Sequence, residues 1–177
     1  MKRLTKLLTV ILVILLLTAC SDETTTDKTI NKRTTSSEEP LVVNSKDIEG
    51  LDKMTCTRKG HLDDGEVKLT YDLYYEGEDL ILLHATEEVI TEDSSILDEY
   101  ENAYKSIREN YLGLNYYDTA VVRTNDSVTN DTIINYGKID INKLLEIEGE
   151  EDNIIVDGKA KVDSWLELAE QFGTECE

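Results

Sequence analysis

Between residues 50 and 177, apolar positions recur at two spacings, and Gly or Asp-rich segments punctuate them. Val67, Leu69, Tyr71, Leu73 and Tyr75 alternate with Lys68, Thr70 and Asp72, and this period of two predicts a strand with one buried face. Asp63-Asp64-Gly65 marks a turn before it, and Lys53–Lys59 reads as a preceding strand. Glu76-Gly77-Glu78-Asp79 turns the chain into Leu80–Ile90, whose first half is apolar on both faces and so predicts a central strand. Pairing Tyr75 with Leu80 across that turn sets Leu73 opposite Leu82, Tyr71 opposite His84 and Leu69 opposite Thr86 on the core face. The other face then carries Tyr74 beside Ile81, Asp72 beside Leu83 and Thr70 beside Ala85. Tyr74, Ile81 and Leu83 form an apolar strip there, either a recognition surface or a surface covered by a terminal helix.

The spacing changes to three and four at Ile96, Leu97, Tyr100, Ala103, Tyr104, Ile107 and Tyr111, which predicts a helix capped by Ser94 or Ser95 and closed by Gly113. Tyr116–Arg123 and Asp131–Tyr136 read as a second hairpin around a polar loop, Asn125–Asn130. A short helix near Ile139–Leu145 follows, and Val162–Phe172 makes a last one, with Val162, Trp165, Leu166, Ala169 and Phe172 on one face. The class expected is α+β, an antiparallel sheet of about five strands with helices packed on it, in a single domain over 50–177.

The N-terminus follows another logic. Lys2, Arg3 and Lys6 precede an apolar run from Leu7 to Leu17, then Thr18 and Ala19, the tripartite order of an export signal over residues 1–19. The run is roughly half the 20 apolar residues that a spanning helix needs. Leu17-Thr18-Ala19-Cys20 resembles the lipobox of bacterial lipoproteins, which implies cleavage before Cys20 and a diacylglycerol on its thiol. Residues 20–49 contain Thr24-Thr25-Thr26, Thr34-Thr35-Ser36-Ser37 and Pro40 without apolar periodicity. They read as a flexible polar tether with a span of roughly 30 Å.

Charge narrows the partners. The formal net charge is −20, and removal of residues 1–19 leaves fifteen Lys and Arg against 38 Asp and Glu, or −23. Such a chain repels phosphate backbones and anionic headgroups, so no nucleic acid is expected and the membrane contact falls to the lipid on Cys20. With Cys20 lipidated, Cys56 and Cys176 remain as an even pair at the two ends of the folded region. An oxidising extracytoplasmic compartment permits a disulfide between them, the alternative being two separate buried thiols.

Catalytic signatures are sparse. The chain contains no Gly-x-Ser-x-Gly elbow, no phosphate-binding glycine loop and no His-Glu-x-x-His helix, so no catalytic residue and no cofactor is expected. His84-Ala85-Thr86-Glu87-Glu88 has Glu88 where an inverted zinc motif needs its second His, and it reads as strand, so no metal is assigned. Glu87 and Glu88 point to opposite faces of that strand and cannot share a substrate. Glu146–Asp152 offers five carboxylates in seven residues, a solvated acidic loop or a weak cation site. Asn125-Asp126-Ser127 and Asn130-Asp131-Thr132 read as turns. Nine Tyr against one Phe and one Trp suit either the wet edges of a small sheet or a stacking and anchoring surface.

The lipobox, the polar tether, Cys56 in the first strand, Ile133-Ile134-Asn135-Tyr136-Gly137-Lys138-Ile139-Asp140 and the terminal Cys176 together resemble the YehR-like bacterial lipoproteins over nearly all of the folded region. That resemblance implies the fold and the location, and it leaves the substrate blank. The expectation is a lipid-anchored protein on the extracytoplasmic face of the cell membrane. It would bind a protein, a peptide or another ligand of the envelope without catalysis. An envelope enzyme with an unrecognised site and a purely structural envelope protein are the alternatives.

Overall fold

A computed structural model describes residues 36–37, 39–150 and 154–177; residues 1–19 and Cys20 lie outside them. The described strands are β1 (Ser36–Ser37), β2 (Asp52–Leu62), β3 (Gly65–Glu76), β4 (Asp79–Thr91), β5 (Tyr117–Arg123), β6 (Ser127–Asn135), β7 (Ile155–Val156), β8 (Lys159–Ala160) and β9 (Glu175–Cys176). The helices are α1 (Ser94–Asn110), α2 (Ile141–Leu145) and α3 (Val162–Gln171). Among the described residues the main sheet has seven strands in the order β1-β5-β6-β4-β3-β2-β9, five of them long, and β7 pairs with β8 alone. Every pairing is antiparallel except β1 with β5. The α+β class holds, and β4, apolar on both faces, lies at the centre of the sheet.

One residue changes the expected register. Tyr75 does pair with Leu80, but a bulge between Tyr74 and Tyr75 leaves Ile81 extra, so Tyr74 faces Leu82, Leu73 faces Leu83, Tyr71 faces Ala85 and Leu69 faces Glu87. A one-residue slip turns every following side chain to the other face. The Ile81 carbonyl accepts the Gly137 N–H at 3.1 Å. A Cβ on Gly137 would stand 3.2 Å from Ile81 Cγ2, so glycine permits this close approach.

The helices cover one face of the sheet. Under α3, Leu73, Leu80, Leu83 and Cys56 pack with Val162, Trp165 and Ala169. Under α1, Val67, Leu69, Val89, Val121 and Val128 pack with Leu97 and Tyr104. A third cluster joins Leu114, Ile139 and Leu144 of α2, beside the stacked rings of Tyr111 and Tyr117, 4.1 Å apart. The α1 N-cap is Asp93, whose Oδ1 accepts the Ser95 N–H at 2.8 Å, in place of the expected Ser94 or Ser95. The second hairpin is tighter than its sequence suggests. β6 begins at Ser127, so Asn130-Asp131-Thr132 is strand and the Asn125–Asn130 loop shortens to a turn closed by Ser127 N–H to Thr124 Oγ1.

The opposite face is crossed by a strap. After β1, the Leu41 N–H donates to Asp131 Oδ2 at 2.6 Å on β6, and Asp47, in a single 3-10 turn, accepts from Lys138 Nζ at 2.6 Å. The chain then reaches β2 on the far side of β3 and β4. Residues 20–49 were expected as one tether; their part from Leu41 onward is instead held against the sheet, because Asp131 and Asn135 of β6 and nearby Lys138 give it polar partners. Cys56 and Cys176, register partners on β2 and β9, are joined by a disulfide across 120 residues.

Candidate binding cleft

The bulge at Ile81 divides the expected strip. Leu83, 7% exposed, belongs to the core under α3. Tyr74 is on the other side of the sheet, with Lys53 Nζ 5.6 Å from its ring centroid. Ile81 lines a concavity of about 300 Å³ with Tyr136, Gly137 and Ile139. Tyr74 and Leu83 therefore lie on opposite faces of the sheet, and of the two readings of the strip, Leu83 follows the one in which a terminal helix covers it.

Polar residues gather at two other places. On the strap side, the buried Asp131 carboxylate meets His84 Nε2 at 2.7 Å, Thr86 Oγ1 at 3.2 Å and the strap's Leu41 N–H. Each Asp131 oxygen is thereby bonded, and His84, expected as a half-buried strand residue, is that and also part of this anchor. In the acidic loop, Glu150 accepts from Tyr111 Oη at 2.5 Å, so this carboxylate is tied to the end of α1, while Glu151 and Asp152 lie outside the described residues. Asp79 takes both Lys159 and Lys161 and so fastens the β7–β8 hairpin to the β3–β4 turn. These two ammonium groups hold its carboxyl below the usual range.

The second place is on the helix side, between the clusters that α1 and α3 cover. The row Arg58, Leu69, Glu87, Asn130 and Val121 runs straight across the sheet, and Glu87 stands near its middle. Tyr71, in the neighbouring row, packs against both clusters and so marks the floor between the helices. Its ring meets Trp165 of α3 edge-on, with centroids 5.2 Å apart. On the α1 side, Tyr100 and Tyr104, one turn apart, bring their rings within 5.9 Å. Arg58 and Glu87 are two strands apart in this row and form no ion pair within 4.0 Å, and the Arg58 guanidinium lies over Phe172, 5.9 Å from the ring centroid.

Glu87 is consequently a half-buried carboxylate between aromatic residues, and among the described residues no cation reaches it within 4.0 Å. Burial pushes its pKa up, against smaller opposing contributions from Tyr104 and Arg58. The Tyr104 hydroxyl, in a residue only 2% exposed, acts on this carboxylate as a hydrogen-bond donor and opposes the upward shift. Burial, then the Glu87 charge, raises the pKa of Tyr104 and takes Tyr71 to about 12. The sequence reading set Glu87 and Glu88 on opposite faces without deciding which turns inward, and the bulge brings Glu87 to the face under the helices. The Tyr100 and Tyr104 spacing was visible, without any sign of what the rings enclose.

The architecture defines an α+β protein with helices on one sheet face and a row of aromatic residues between the two clusters they cover. No family model and no curated protein matches the sequence. Among solved structures, the fold is similar to that of the E. coli YehR protein, with a TM-score of 0.52 at 12% identity over 72% of this chain and 92% of that one. A Streptococcus pneumoniae TIGR4 protein aligns with a TM-score of 0.48 at 16% identity, over 89% of this chain and all of that one. The likeness to YehR supports a YehR-like fold.

Proposed function

We propose that the chain is a lipoprotein anchored by Cys20 on the extracytoplasmic face of the cell membrane, and that its domain is a non-catalytic module for a ligand or a protein of the cell envelope. The observation that carries the location is Leu17-Thr18-Ala19-Cys20 at the end of a basic and then apolar segment. The Cys56–Cys176 disulfide supports it, since such bonds persist in oxidising compartments. The binding role is supported by the half-buried Glu87 carboxyl, which burial holds above the usual range with no cation within 4.0 Å among the described residues, since perturbed groups are enriched at functional sites. Mass spectrometry of the N-terminal peptide from the membrane fraction tests the anchor. The expected result is a peptide starting at a diacylated Cys20, with Cys20→Ser released or unprocessed; an unmodified Cys20 or cleavage elsewhere defeats the reading.

A further inference from the structure

We propose that the strap is a displaceable cover, and that the sheet face beneath it binds an extended peptide segment of a partner protein through backbone N–H groups four residues apart, one donating to Asp131 and the other to Asn135. This rests on the reading of the domain as a binding module and names the surface and the chemistry of the partner.

The face under the strap is built like an interior, although the helices cover the other side of the sheet. Leu82 is 1% exposed there and its register partner Asn135 5%, with Asp131 and Ile133 buried on the same face of β6. The strap itself is not interior. None of residues 39–50 is buried, and Val42 is 87% exposed. Its polar anchors are the Leu41 N–H on Asp131 at one end and Asp47, with Lys138 and Asn135, at the other. A segment that buries so little of itself belongs to the part of a fold that opens most readily, and its opening uncovers an apolar floor with a carboxylate that accepts backbone N–H.

The strap also fits that face incompletely. Asn135 Oδ1 is buried without a hydrogen-bond partner, while Nδ2 of the same amide reaches Asp47 only at 3.5 Å. Exchanging the two ends of the amide would set its oxygen against the Asp47 carboxylate, so the missing group is a donor to Asn135. The strap has none to offer, because the Lys46 and Asp47 N–H groups are both spent on Asn44 within the 3-10 turn. A segment that donates there recovers what an unmet buried acceptor costs.

Geometry sets the spacing of the donors. Asp131 and Asn135 are four residues apart on β6, roughly 14 Å at about 3.4 Å per residue. From Leu41 to Asp47 the strap spends six residues on this distance because of its turn. A fully extended peptide has the pitch of β6 itself, and its N–H groups at positions n and n+4 point to the same side, so one reaches Asp131 as the first reaches Asn135's missing donor position. Leu41 already shows the first of these contacts, at 2.6 Å. A partner with proline at either position has no N–H to give.

The test opens the strap and leaves the face intact. The full-length chain in detergent, as parent and as Leu41→Pro, is titrated with the peptide acetyl-Leu-Val-Thr-Val-Thr-Ser-amide, followed by calorimetry and amide NMR. Leu41→Pro removes the N–H that Asp131 holds. The expected result is saturable binding, about tenfold or more tighter to Leu41→Pro because the parent must first give up its strap, with shifts centred on Asp131, Ile133 and Asn135. N-methylation of the first or the fifth residue of the peptide should weaken binding several-fold, and the effect of the fifth should vanish in Asn135→Ala. If circular dichroism shows Leu41→Pro unfolded, Asp47→Ala, which frees the other end of the strap, carries the same comparison. No saturable binding to the opened chain, equal affinity for parent and opened chain, or indifference to methylation of the fifth residue overturns the proposal. A concentration-dependent dimer of the parent that Leu41→Pro abolishes also overturns it, by giving the face to the strap of a second copy. These outcomes leave the lipid anchor standing, and an unmodified Cys20 in turn leaves peptide binding untouched, so the two failures are distinct.

Discussion

Glu87 shows how one half-buried side chain makes the stability of the fold depend on pH. In the folded chain its carboxyl titrates above the ordinary value of 4.5, mainly because burial disfavours the charge. Between the ordinary value and the raised one, the folded state keeps a proton that the unfolded state has lost. The stability associated with the neutral form is therefore fully present below the ordinary value and is lost as pH rises through the raised one. Glu87→Gln keeps the shape and removes the ionisation. Thermal melts from pH 4 to pH 8 should find this variant more stable than the parent at neutral pH, with the gap closing toward pH 4. An equal gap at every pH would mean that the carboxyl ionises as freely as in water. Leu83 teaches the complementary lesson, since its burial under α3 follows from the bulge two residues earlier and not from its own chemistry.

At the scale of elements, the long strands and the two longer helices were legible because each carries its own period, from Val67–Tyr75 to the Ile96–Tyr111 face. What escaped the sequence reading depends on contacts remote along the chain. The Ile81 bulge is fixed in part by Gly137, and β1, β9 and the β7–β8 hairpin are two-residue strands too short to show a period. The strap is the largest such case. Its polar composition read as tether, and its order comes from Asp131, ninety residues away from the Leu41 it holds. Asp131→Ala should leave the His84 ring and the Leu41 N–H unpaired and destabilise the domain by about 2–3 kcal/mol. Limited proteolysis should then cut within Leu41–Lys46 well before the sheet is attacked; cleavage at the parent's rate would show that the strap is held by other contacts.

For the whole molecule, the disulfide ties the first long strand to the last short one and closes a loop of 120 residues in sequence separation. In the chain-entropy account such a loop stabilises the fold by up to about 4–5 kcal/mol. It also has a mechanical consequence. Tension applied between the strap and the C-terminus travels from residue 39 to Cys56, across the sulfur bridge to Cys176, and out at Glu177. Once the strap has come away from Asp131 and Lys138, everything from Thr57 to Glu175 is left out of the path of force. Stretched between those points in optical tweezers, the oxidised protein should lengthen by at most about 60 Å, the contour of the strap and the start of β2 at roughly 3.5 Å per residue. After reduction the same pull should release a contour of about 480 Å. A long release from the oxidised protein would place the bridge elsewhere. A domain wired in this way can be tugged at its two ends while the helix-covered face of its sheet stays unloaded.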